Sequence, residues 1–105
     1  MPDVDPLIHQ PTRLKIMAAL AGLDDGAQVD FNFLIDLLGL SDGNLSVHLQ
    51  KLEAAKLISI KKEFVDHYPK TWIRITRQGR KAFAEYVASL ESIIGVKNPA
   101  NRAGK

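Results

Sequence analysis

The chain has 105 residues, 46% of them apolar and 25% charged, which suits one globular domain with a single core. The absence of cysteine excludes disulfides and thiolate metal sites, and no apolar run reaches the roughly 18–20 residues needed to cross a bilayer. The net charge of +2 conceals an asymmetry: residues 1–50 carry −5, whereas residues 51–81 hold nine basic against three acidic side chains, the footprint of a polyanion binder.

The N-terminus, MPDVDPLIHQP, is acidic and punctuated by proline, so it does not read as a signal peptide, and the cytoplasm is the expected compartment. Leu7–Leu23 has the pattern of a first helix, with Leu14, Met17, Ala18, Leu20 and Ala21 on one face. Pro11 marks a helix start or a kink, because it has no N–H to donate inside a helix. After the polar turn LDDGAQ, Asp30 can cap a second helix, Phe31–Leu38, with Phe31, Leu34, Ile35 and Leu38 turned inward.

Gly39 and Leu40 form a tight turn into a third helix, about residues 41–55. Ser41 can cap it, and Leu45, Leu49 and Leu52 at i, i+4 and i+7 build its apolar face. The opposite face carries Asp42, Gly43, Asn44, Ser46, Val47, Gln50 and Lys51, short and polar at the start and basic further on. Such a face suits base edges and phosphates better than catalysis. Asn44 and Ser46 are the candidates for base-edge or phosphate contact, and Gly43 permits close approach of the helix to a backbone. Asp42 favours the positive end of the helix dipole. His48 reads either as a half-buried structural histidine or as a phosphate contact.

Leu57–Phe64 alternates as a strand. VDHYPK is a connector in which Pro69 argues against regular pairing, and Thr71–Ile75 alternates again, with Trp72 as a packing residue. Lys61, Lys62 and Lys70 flank this hairpin, a wing of about residues 61–71, and Arg74 follows on its second strand; all four are candidate phosphate contacts. Thr76 caps a last helix running to about Ile94, in which Gly79 reads as a close-packing device. Its apolar stripe of Phe83, Val87, Leu90 and Ile94, widened by Tyr86 and Ile93, is broader than so small a core needs. With Leu7 and Ile8 it forms a candidate homodimer surface. Residues 95–105 lack periodicity and read as a flexible tail.

The fold expected is mainly α with a small β-hairpin: three helices, a two-stranded wing and a C-terminal helix, the order of a winged helix-turn-helix domain over residues 1–94. The segment GLSDGNLSVHLQKLEAAKLI resembles the helix-turn-helix core of MarR- and ArsR-type regulators. With the opening HQPTRLKIMAAL and the ending TWIRITRQGRKAF, the chain resembles more closely a family of small stand-alone winged-helix transcriptional regulators, over about residues 7–94. The resemblance implies a dimer that binds double-stranded DNA, the third helix entering the major groove. Two departures stand out. Lys56 occupies a position where many relatives have glycine and the chain turns through positive φ, at a cost under about 1 kcal/mol, and Val47 replaces a common Arg or Lys.

ArsR-type metal sensing needs Cys-rich or His/Asp motifs, and His9, His48 and His67 lack such spacing. No metal or cofactor is therefore expected. Catalysis finds no support either: there is no cysteine nucleophile, no H-E-x-x-H and no phosphate-cradling glycine loop. Two alternatives stay open at this point, a winged helix used for protein–protein contact and a regulator that senses a small molecule between dimer helices.

Overall fold

The computed structural model describes residues 4–95, so the tail expected over residues 95–105 lies, beyond Gly95, outside the described residues. Its elements in chain order are α1 (Pro6–His9), α2 (Pro11–Ala21), β1 (Val29–Asp30), α3 (Phe31–Leu38), α4 (Asp42–Ala54), β2 (Ile58–Val65), β3 (Tyr68–Ile75) and α5 (Arg77–Ile94). The helix starts are set by local chemistry. Asp30, Ser41 and Thr76 each accept a hydrogen bond from the backbone N–H three residues on, as their positions before apolar-periodic runs predict.

The expected first helix is two helices. Gln10 has extended backbone and caps α2 through its side chain, and Pro11 takes the first helical position. The buried face of α2 is Ile16, Met17 and Leu20, with Leu14 half-buried beside them, and Ala18 is exposed. Ile8 is fully buried in the core of its own protomer, which corrects its assignment to a dimer surface.

The sheet has three antiparallel strands in the order β1-β3-β2, one more than expected, because Val29 pairs with Ile73 and Asp30 with Trp72. The hairpin is also longer than read from sequence. Its turn is only Asp66–His67, both at positive φ (52° and 70°), as a type I′ turn requires. Pro69 lies within β3, opposite Phe64. In a two-residue hairpin the closing pair, Val65–Tyr68, is the hydrogen-bonded one, so the next pair makes no demand on the missing proline N–H.

Ile58, Ile73 and Ile75 turn inward and join Leu34, Leu45, Leu49, Leu52 and Tyr86 around α2. At the end of α4 the chain reverses through Lys56 at φ 66°. The N–H of Leu57 donates to Leu52 O (3.0 Å) and that of Lys56 to Glu53 O (2.9 Å), a Schellman closure built without glycine. The Thr76 hydroxyl donates to Lys56 O (2.7 Å), which joins the end of α4 to the start of α5.

Candidate nucleic-acid interface

The leucines of α4 fix which of its faces meets solvent. Leu45, Leu49 and Leu52 are at most 2% exposed, which leaves Ser41, Asp42, Gly43, Asn44, Val47, Gln50 and Lys51 exposed and Ser46 half-buried. At Gly43 a Cβ would meet nothing within 4 Å, so packing does not dictate the glycine. Leu49→Ala should cost about 2–5 kcal/mol of stability, whereas Asn44→Ala and Ser46→Ala should leave the melting temperature nearly unchanged. Equal large drops in all three thermal melts would mean that the faces of α4 are reversed.

Beside α4 runs an open concavity of about 750 Å³, bounded by the wing and the start of α3. Asp42, Ser46, Gln50 and Glu53 line it from the helix, and Lys62, Pro69, Lys70 and Thr71 from the wing. The strand register sorts the wing lysines. Lys62 pairs with Thr71 and shares the helix-facing side with Ile60 and Ile73, whereas Lys61 pairs with Trp72 on the outer side.

Their ionic partners differ as well. Lys61 Nζ lies 3.4 Å from Glu63, and Lys70 Nζ lies 3.2 Å from Asp30 and 5.6 Å from the centre of the Trp72 ring. Trp72 Nε1 donates to Glu63 Oε2 at 2.7 Å, so this indole is tied into a surface network. The Phe33 N–H, with the Lys70 ammonium, holds the Asp30 carboxyl below its usual range against the opposing effect of burial. Among the described residues Lys62 has no carboxylate within ion-pair distance and is the wing lysine best placed for an external phosphate.

Two candidates fall elsewhere. His48 is half-buried, and its Nδ1 lies 3.1 Å from Arg13 Nη1, while Arg13 Nε donates to Leu7 O at 2.6 Å. Arg13 therefore bridges Leu7 of α1 to α4, a positioning role that sequence reading missed because Arg13 and His48 are 35 residues apart. Burial, then the charges of Arg13 and Lys51, push the His48 pKa down. The unfolded chain thus takes up this proton first as pH falls below about 6.5. Stability should be complete above that pH and decline below it until folded His48 is itself protonated. Thermal melts between pH 7.5 and 5 should show a decline that His48→Gln reduces; a stability that rises on acidification in proportion to His48 would contradict this.

Arg74 is the second. It pairs with Ser59 near the base of the wing, six residues from the Val65–Tyr68 tip pair, about 20 Å at a strand's rise. That separation takes it away from the surface formed by the start of α4 and the wing tip. The tip instead exposes Phe64 (76%) and Tyr68 (74%), which sequence reading passed over although they flank the turn.

Among the described residues no cluster of His, Cys, Asp or Glu could hold a metal ion, and no helix is long and apolar enough to cross a membrane. Comparison with known proteins agrees with the geometry. The winged helix DNA-binding domain family matches residues 12–94. An uncharacterised protein of Methanocaldococcus jannaschii is 41% identical over 81 residues, 77% of this chain and 85% of that protein. A solved transcriptional regulator homologue from Pyrococcus horikoshii superposes with a TM-score of 0.77 at 29% identity, over 87% of this chain and 88% of that one. HlyU from Vibrio cholerae shares the fold, with a TM-score of 0.60 at 20% identity over 74% and 77% of the two chains. The capped, leucine-anchored α4, the wing beside it and a family match spanning both establish that this chain belongs to the winged helix DNA-binding domain family.

Proposed function

We propose that the protein is a dimeric transcriptional regulator of the cytoplasm that binds double-stranded DNA sequence-specifically. The observation that carries this reading is the exposed face of α4, where Asn44, Val47, Gln50 and Lys51 stand clear of the core beside a groove that Lys62 enters from the wing. The start of α4 enters the major groove, where Asn44 and Ser46 meet base edges, while Lys51 and Lys62 neutralise phosphates and set register. A fluorescence anisotropy titration with random duplex at low salt tests this: measurable binding is expected, and its absence would overturn the reading.

Dimerisation rests on α5. Phe83 and Leu90 are half-buried against their own core, but Val87 (37%), Ile93 (40%) and Ile94 (60%) are exposed toward its end. Leu7, half-buried on α1, completes an apolar surface that a second copy would cover. A twofold dimer would present two α4 helices to half-sites about one helical turn apart, roughly 34–36 Å. Sedimentation at micromolar concentration should give a dimer that Ile94→Glu weakens at least tenfold without loss of fold. A wild-type monomer under the same conditions would remove both the dimer and the palindromic site.

A further inference from the structure

A second basic feature lies at the other end of the wing. Here Arg74 of β3 and Arg77 and Arg80 at the start of α5 surround a concavity of about 370 Å³, closed on one side by Asp25 and Gly26 of the α2–β1 loop. The volume falls in the range of small-molecule sites.

The three arginines are held differently. Arg80 is an anchor: its guanidinium donates to Ala21 O (3.1 Å), Leu23 O (2.8 Å) and Asp24 O (3.2 Å). Its Nε meets the Asp25 carboxylate at 3.1 Å, and that carboxylate side chain is 96% exposed. Arg74 and Arg77 are exposed and, among the described residues, have no carboxylate within ion-pair distance. Ser59, the cross-strand neighbour of Arg74, adds a hydroxyl to the lining. The pocket thus sets three permanent positive charges, one of them anchored, against one solvent-exposed negative charge. Guanidinium forks match the oxygens of phosphate and carboxylate groups, and like charges gathered without partners favour an anion between them.

We infer that this pocket binds a compact, multiply charged anionic small molecule bearing phosphate groups, which bridges Arg74 and Arg77 and takes the place of the Asp25 carboxylate at Arg80 Nε. The site lies about 20 Å from the wing tip and is separate from the DNA-facing groove, so it does not depend on the DNA reading. Asp25 acts as a built-in competitor: its carboxylate occupies the position that a ligand oxygen takes.

The test is calorimetric titration of the full chain with inorganic pyrophosphate at constant ionic strength. Expected is saturable binding of one pyrophosphate per protomer. The double variant Arg74→Gln, Arg77→Gln weakens it at least tenfold, and Asp25→Asn, which removes the competing carboxylate, tightens it severalfold. Lys15→Gln, which removes one positive charge at an exposed position of α2, leaves it unchanged. Non-saturable uptake, or an equal loss in Lys15→Gln, would reduce the pocket to general surface charge and overturn the proposal. So would an Asp25→Asn variant that binds no better than wild type. A random duplex whose affinity falls as far in the double arginine variant as in Lys62→Gln would assign the pocket to DNA and overturn it too.

Discussion

Gly79→Ala is expected to remove most of the stability of the domain. Gly79 sits in the first turn of α5, where its N–H donates to Thr76 Oγ1 and the helix crosses the backbone of Leu57. A methyl group there would overlap the Leu57 carbonyl oxygen and come within 2.9 Å of Ile75 Cγ1. The obstacle is backbone, itself held by the Thr76 N–H bond to Leu57 O (3.0 Å), so no side chain can swing aside. The cost should reach or exceed the upper end of ordinary overpacking, about 3 kcal/mol. For a domain of this size that is a fall of at least about 12 °C in melting temperature. The same substitution at Gly43 has open space around it and should be neutral or slightly stabilising, by up to about 0.5 kcal/mol. A Gly79→Ala variant that melts with the wild type would mean that α5 does not lie against Leu57 as described.

The second large effect is electrostatic. A dimer that neutralises about six phosphates should show a log–log salt slope near roughly −5, losing about a thousandfold in affinity between 50 and 200 mM salt. Lys62→Gln should lower the slope by about 2, one for each protomer. Lys61→Gln should change it less, because Lys61 already faces Glu63 at 3.4 Å on the outer side of the sheet. Anisotropy titrations over a salt series check this; identical slopes for wild type and Lys62→Gln would remove Lys62 from the interface.

The parts of this molecule legible in its sequence are those governed by local chemistry. Ser41, Asp30 and Thr76 cap helices because each stands just before an apolar-periodic run, and the Leu45–Leu49–Leu52 spacing orients α4 without knowledge of anything else. Gly79 reads as a packing glycine because no phosphate-cradling pattern surrounds it, although the backbone it packs against, that of Leu57, cannot be named from sequence. What was not legible depends on partners distant in the chain. Val29 and Asp30 become a strand only because β3 offers them a register, and two residues have no periodicity of their own. Lys70 looks like a free phosphate contact until Asp30, 40 residues earlier, is beside it. Pro69 argues against a strand until the two-residue turn places it at a pair that needs no N–H. Arg74 shares its basic segment with the wing lysines, but strand length carries it to the opposite end. Ile8 looked available to a partner because its burial is tertiary and α1 is too short to reveal a buried face.

One surface carries the proposed function, the exposed face of α4 with the helix-facing side of the wing. Backbone amide chemical-shift mapping while random duplex is added tests it most directly. Perturbations are expected to concentrate at Gly43, Asn44, Ser46, Val47, Gln50, Lys51 and Lys62 and at the wing tip around Phe64–Tyr68, with Arg77 and the start of α5 little affected. Perturbations centred on Arg74 and Arg77, or none at α4 under conditions where duplex is bound, would contradict it.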